Sequence, residues 1–231
     1  MYELHGVKIP YDENIITPDV GKSIERGRYE KPEVLGLPKF IDPNDRVIEL
    51  GSGLGFISTY LMKQLGVRNM MCIEAAPPLC SFIKRVHAEN DVSFAEVKNA
   101  VALNDTGKPG QVDFYVRDPF WSSSLDPQDG HAEIVQVPAL SLSEQINEFR
   151  ANTLVVDIEG GEVDLFDPLD LSGVNKVYLE IHTRKIGLVG IRSCFDALSK
   201  QDFAYDQKVS SAGAVLFRKI PKRQLRSSQN K

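Results

Sequence analysis

The sequence predicts an α/β fold built on a doubly wound, mostly parallel sheet, and three observations carry that expectation. The first is Val47-Ile48-Glu49-Leu50-Gly51-Ser52-Gly53-Leu54-Gly55-Phe56, an apolar run that ends in an acid and then places glycines at alternate positions. Such a stretch reads as a buried strand turning sharply into a helix, with glycine where a side chain would bar a ligand from the backbone. The second is the succession strand, helix, strand, helix that follows, as a parallel sheet with right-handed crossovers requires. The third is Leu154-Val155-Val156, wholly apolar as a central parallel strand should be, which ends in Asp157-Ile158-Glu159-Gly160-Gly161-Glu162.

Residues 1–45 read as an N-terminal extension packed on the core, with a short helix over 19–28 that the proline at 32 keeps from running on. Asp42-Pro43-Asn44-Asp45 is a turn into the first strand of the core. Beyond the glycine turn, Ile57, Tyr60, Leu61 and Leu65 share one helical face and Gly66 stops the helix. Met70-Met71-Cys72-Ile73 is a second strand ending at Glu74, and Pro77-Pro78 opens a helix whose Leu79, Phe82, Ile83 and Val86 repeat the spacing. A third strand is expected from about 92 to 101, followed by the turn Asn104-Asp105-Thr106-Gly107 and by Val112, Phe114 and Val116 as its hairpin partner. Residues 118–131 are polar and turn-rich. They form either a plain surface loop or a lid over substrate, and Trp121, the only tryptophan, favours the lid.

Ser141 with Glu144 makes a capping box for a short helix. Val177-Tyr178-Leu179-Glu180-Ile181-His182 is again a strand followed by an acid, with a histidine at the rim. Ile191, Cys194, Phe195 and Leu198 give the last helix, and residues 203–208 with 214–217 a closing antiparallel pair. No repeat or linker divides the chain, so the nucleotide-binding unit is placed at 46–219 and a basic tail, expected to be unstructured, at 220–231.

With 231 residues, 42% hydrophobic and 26% charged, the composition is that of a globular protein able to bury a substantial core. No run approaches the ~20 apolar residues of a membrane span, and Met1-Tyr2-Glu3-Leu4-His5 is no secretory signal, so a cytosolic protein is expected. Cys72, Cys80 and Cys194 lack metal-ligand spacing, and Cys72 and Cys194 read as reduced core residues. The net charge of −5 hides six basic residues and no acid from Arg218 to Lys231, read as a solvated terminus; no nucleic-acid partner is expected.

A glycine-rich strand-to-helix turn serves dinucleotides, nucleotide phosphates and S-adenosylmethionine (SAM) alike, because unpaired amides at a helix N-terminus donate to a carboxylate or phosphate. A dinucleotide fingerprint wants glycine where Phe56 stands. A Walker loop is excluded, since Gly21-Lys22-Ser23 ends correctly but Ile16 occupies the first glycine's place. The alternate glycines led by Glu49 resemble the first motif of SAM-dependent methyltransferases. Glu74, 23 residues after Gly51, suits both ribose hydroxyls. It would also suit a nicotinamide cofactor, so an NAD(P)-dependent oxidoreductase and a non-catalytic SAM-binding scaffold stay open beside a methyltransferase.

Glu49 to Gly55, Glu74, residues 157–162 and Glu180-Ile181-His182 together resemble the FkbM-type family of SAM-dependent methyltransferases. The family's D-x-E-G-x-E is matched at Asp157, Glu159, Gly160 and Glu162, and Tyr29-Glu30 resembles its leading segment. Glu49 stands where the family commonly has Asp, Ser52-Gly53 where it has Ala-Asn, and Glu74-Ala75-Ala76-Pro77 where it has Glu-Pro. The resemblance implies a seven-stranded, Rossmann-like class I methyltransferase sheet, SAM as cofactor and, most often, O-methylation of a hydroxyl on a small-molecule, sugar or lipid-like acceptor. Glu49, Gly51, Ser52, Gly53, Gly55, Glu74, Ala75, Asn99 and Asp157 are expected on the cofactor, and Trp121, Ser123, Glu159 and Glu180 on the acceptor.

His182, beside Glu180 at a strand's carboxyl end, is the candidate base, because imidazole titrates near neutral pH. Asp157 is open to three roles: taking the acceptor's proton, binding the ammonium of SAM, or joining Glu159 and Glu162 around a metal. Three acids with no clear fourth ligand assign no metal. Glu49 either caps the glycine loop or holds the methionine ammonium, while His5, His87 and His131 read as surface residues.

Overall fold

The computed structural model describes residues 1–105, 110–117, 123–125, 127, 133–211 and 213–228. The chain opens with a hairpin, β1 (Tyr2–Leu4) and β2 (Val7–Ile9), turned by His5 and Gly6, both at positive φ as a two-residue hairpin loop demands. α1 (Pro18–Glu25) starts on Thr17, whose hydroxyl accepts from the Val20 N–H. α2 (Lys31–Gly36) carries Pro32 in its first turn. That proline therefore opens a new helix, because an N–H at this position would have no partner to lose.

β3 (Arg46–Leu50), α3 (Phe56–Lys63), β4 (Asn69–Glu74), α4 (Pro77–Glu89) and β5 (Glu96–Asn99) then alternate as the sequence predicts. The third strand does not run to 101. Instead the Ala100 N–H donates back to the Glu74 carbonyl at 3.0 Å, and β6 (Val101–Leu103) leaves for a second, three-stranded sheet with β7 (Gly110–Val116) and β8 (Glu133–Ser141). β7 accordingly pairs antiparallel with β8 and not with the third strand. β8 escapes a sequence reading because Pro138 interrupts it. β6 covers only Ala139, Leu140 and Ser141, so the proline sits where a missing N–H is tolerated.

α5 (Leu142–Phe149) is capped by Ser141, whose Oγ accepts from the Glu144 N–H at 3.3 Å. β9 (Thr153–Val156), α6 (Glu162–Leu165), β10 (Lys176–Glu180), α7 (Thr183–Lys200), β11 (Phe203–Tyr205) and β12 (Ala214–Lys219) follow. α8 (Lys222–Ser228) gives helix to part of the tail expected to be unstructured, and 229–231 lie outside the described residues.

The main sheet has seven strands in the order β11-β12-β10-β9-β3-β4-β5, parallel except for β12, which closes it antiparallel to β10 and β11. Side chains along its central strands alternate between two cores. Val47, Met70, Cys72, Val155 and Tyr178 join the hairpin and α1 to α4, whereas Ile48, Leu50, Met71, Ile73, Leu154, Val156, Val177 and Leu179 join α5 to α7. Covering both faces is why these strands read as continuous apolar runs. Leu154 is fully buried, and truncating such a side chain to Ala costs about 2–5 kcal/mol. Glu49, in register with Cys72 and Val155, is the polar exception among the inward positions of β3.

Candidate functional site

β3 lies between β4 and β9, so the chain leaves it toward opposite sides of the sheet, the arrangement at which open α/β sheets bind ligands. A cavity of about 1300 Å³ opens there, at the carboxyl ends of β3, β4, β9 and β10. Gly51, at φ 76°, admits no side chain: a Cβ would stand 1.7 Å from the Asp157 carbonyl oxygen. Gly51, Ser52 and Gly53 line the cavity. Gly55, expected to touch a cofactor, instead caps α3 at φ 73° and packs on Ile83, whose Cα a Cβ would meet at 3.0 Å.

Glu74 receives the Gly53 N–H on Oε2 and the Ala76 N–H on Oε1, each at 2.9 Å. Two amides thus fix the carboxylate in the wall, beside Ala75, with lone pairs left for a ligand. Asn99 does not reach the cavity as expected. Its amide donates to the carbonyls of Glu74 (3.0 Å) and Ala75 (2.8 Å), bracing the wall from behind. Glu49 is 3% exposed and Ser52 5%, yet Glu49 Oε2 and Ser52 Oγ have no hydrogen-bond partner among the described residues. Burial pushes the Glu49 carboxyl up to about 7, against the opposing pull of Ser52, Cys72 and Ser58, which lie beside it. Buried polar atoms are ordinarily satisfied, so two orphans at one turn mark a place suited to a ligand's donors.

The ends of β9 and β10 bring Asp157, Glu159, Glu162, Glu180 and His182 together. Glu162 is fully buried, and its Oε1 pairs with His182 Nδ1. His182 Nε2 stands 3.4 Å from both Asp157 Oδ1 and Glu159 Oε1, while Lys185 Nζ holds Glu159 Oε2 at 2.8 Å. Burial alone would lower the His182 pKa, but hydrogen bonds to Glu159 and Glu162 outweigh it and raise the value to about 10. The ring is an imidazolium at neutral pH, which corrects the expectation of a free base near pH 7. Burial would raise the Glu159 carboxyl, but His182 and Lys185 hold it below the usual range. Asp157 and Glu180, also on the cavity, are pushed up chiefly by burial.

A third group comes from the head of α2, where Tyr29, Glu30 and Glu33 line the same cavity. Glu33 is 7% exposed, with Oε1 unpartnered among the described residues, and burial pushes it up to about 7; burial raises Glu30 as well. Only the Tyr29-Glu30 motif pointed here, because acids at a helix start otherwise read as ordinary first-turn charge. Ser123 lines the cavity and accepts from the Arg117 N–H at 2.9 Å, and Trp121 and His131 lie outside the described residues. His87 is not on the surface as expected. It is 2% exposed, its Nε2 meets Ser58 Oγ at 2.9 Å, and burial lowers its pKa to about 4, so it stays neutral. The three cysteines are free and buried.

No protein-family model matches the chain, and no curated protein matches it. Solved structures do. The chain is similar to a ribosomal protein L11 methylase from Lactobacillus delbrueckii subsp. bulgaricus, with a TM-score of 0.50 and 15% identity, covering 84% of this chain and 80% of that one. It is similar to a precorrin-6y C5,15-methyltransferase from Geobacter metallireducens GS-15, with a TM-score of 0.50 and 11% identity, covering 92% of this chain and 95% of that one. At such identities the likeness is one of fold: the chain has a Rossmann-like α/β fold shared with these two methyltransferases.

Proposed function

We propose that the chain is a SAM-dependent methyltransferase that O-methylates a hydroxyl of a small-molecule, sugar or lipid-like acceptor. The observation that carries this reading is the pair of buried oxygens, Glu49 Oε2 and Ser52 Oγ, unpartnered among the described residues, at a glycine turn beside the amide-fixed carboxylate of Glu74. SAM fits that set: Glu49 would hold its ammonium and Glu74 its ribose hydroxyls. A nicotinamide dinucleotide would suit Glu74 equally, but it has no ammonium for Glu49 and meets Phe56 in place of glycine. The motif from Asp157 to Glu162 supports placement in the FkbM-type family.

Bound SAM supplies a methyl already activated by its sulfonium, which leaves alignment as the protein's main task, worth ~7–11 kcal/mol in well-aligned intramolecular models. Glu159 and Glu180, with Ser123, form the acceptor side. With no ion on its Nε2, His182 keeps its proton between Glu159 and Glu162 and does not take the acceptor's. Asp157 is the group placed to receive it, since its Oδ1 accepts no hydrogen bond among the described residues and burial makes it a stronger base than an exposed carboxylate.

Thermal melts with SAM, S-adenosylhomocysteine, NAD and NADP test the reading. A ligand at 100 times its Kd adds about 2.7 kcal/mol, so SAM and its product should raise the transition of the wild type and do so less for Glu74→Ala. Stabilisation by NAD alone would make the chain an oxidoreductase. Stabilisation by SAM with no methyl transfer across a panel of hydroxyl and amine acceptors would make it a scaffold.

A further inference from the structure

The cavity gathers more negative charge than its cations balance. Glu30, Glu33, Asp157 and Glu180 all face it, while Lys185 is engaged by Glu159 and the Nδ1 side of His182 by Glu162. We propose that Asp157 Oδ1, a carboxylate oxygen of Glu180 and His182 Nε2 bind one divalent cation of the Mn²⁺ type, which displaces to solvent the proton that Nε2 holds in the metal-free site.

Three observations carry this. The ligand atoms of Asp157, Glu180 and His182 lie within 4.8 Å of one another. Around one ion with bonds of ~2.1 Å, ligand atoms stand ~3 Å apart when adjacent and ~4.2 Å when opposite, so small side-chain shifts close the set. The second observation is the fully buried Glu162 on His182 Nδ1. A carboxylate behind a histidine fixes its tautomer and aims the other nitrogen, and metal-bound histidines carry such a partner. The third is the state of the acids themselves. Asp157 Oδ1 accepts no hydrogen bond among the described residues, and Glu33, 7% exposed with Oε1 unpartnered, looks into the same cavity. Carboxylates taken out of water need a cation, and here the acids lining the cavity outnumber His182, Arg184 and Lys185, the cationic side chains described on it.

Glu159 is left out of the set because Lys185 already occupies it. An imidazole among carboxylates selects the metal: all-oxygen sites suit Mg²⁺ and Ca²⁺, while a mixed nitrogen and oxygen set accommodates Mn²⁺ and its neighbours in the first transition row. Three protein ligands leave positions open toward the cavity, where acceptor oxygens would bind and lose a proton more readily. That last consequence rests on the methyltransferase reading; the ion site does not.

The test is a Mn²⁺ titration of the purified full chain followed by electron paramagnetic resonance, with no SAM present, so that its outcome is independent of the cofactor. The wild type should remove one equivalent of the free-ion signal. Asp157→Asn and Glu180→Gln should weaken binding by roughly 10- to 100-fold, as should Glu162→Gln acting through His182. Nitrogen modulation in the spin echo of the bound ion should vanish in His182→Gln, a change that mere loss of structure in a variant still showing a native melt would not give. Glu148→Gln, on an exposed acid of α5, should change nothing. The proposal is overturned if Mn²⁺, Zn²⁺ and Mg²⁺ at about 1 mM neither bind nor raise the melting temperature, or if binding is unaltered in the ligand variants. It is equally overturned if butylammonium stabilises the protein and no metal does, which would make the cavity a site for a cationic acceptor.

Discussion

Replacing Glu49 with Gln keeps the shape of a buried side chain and removes its ionisation. The carboxyl is 3% exposed, has an oxygen unpartnered among the described residues, and is pushed by burial up to about 7 from a usual 4.5. A folded-state pKa raised above the unfolded one means that the native protein binds the proton more tightly. Stability is therefore lost as pH rises from 4.5 to about 7, and the loss is complete above 7. The displacement corresponds to about 3 kcal/mol. Glu49→Gln should accordingly match the wild type near pH 4.5 and exceed it by up to about 3 kcal/mol at pH 8, roughly 6–12 °C in melting temperature for a chain of this size. His87 works in the opposite direction at acid pH, so the comparison is made between variant and wild type at each pH, by calorimetry from pH 5 to 8.5. Titration calorimetry should show the reverse for SAM: losing a charge-assisted hydrogen bond of about 1.5–3 kcal/mol weakens binding roughly 10- to 150-fold. A variant no more stable than wild type at pH 8 would refute the buried, unbalanced charge. An unchanged SAM affinity would refute its role toward the ammonium.

Gly51→Ala should lose more than ~3 kcal/mol in urea unfolding, or fail to fold, because its Cβ would lie 1.7 Å from a backbone oxygen. Gly27→Ala, also at positive φ but facing open space, should lose only about 1–2 kcal/mol, and equal losses would refute the steric argument. His87 is buried neutral with its pKa lowered to about 4, so the unfolded chain binds the extra proton and stability falls as pH drops from 6.5 toward 4. His87→Gln should flatten that acid limb by about 3 kcal/mol, as melts between pH 4 and 7 would show.

The parts of the site that were legible in the sequence are those whose chemistry is contiguous with a strand. Glu49, Glu74, Asp157 and Glu180 each close an apolar run, so one inspection locates both the strand and the acid at its end. Glu30 and Glu33 reach the same cavity from α2, and no local pattern relates a helix-initiating acid to a distant strand end. Asn99 and Gly55 share the right neighbourhood but face backbone, a distinction of direction that spacing cannot resolve. The second sheet was half hidden: one backbone hydrogen bond at Ala100 splits a plausible single strand, and Pro138 disguises its partner. For His182 the residue was found and its protonation was not, because three carboxylates of the segment after β9, distant in sequence from the ring, set its state.

The contact of Gly51 with the Asp157 carbonyl has a mechanical consequence. The Leu50 carbonyl accepts from the Asp157 N–H at 2.9 Å and the Ile73 carbonyl from the Gly51 N–H at 3.0 Å, so the tips of three adjacent strands are bolted backbone to backbone. Neither turn can slide against the other without breaking the ladder beneath it. The two halves of the site therefore share one hydrogen-bonded frame, aligned once when the chain folds, with little reorganisation of these strand ends left for the moment of reaction.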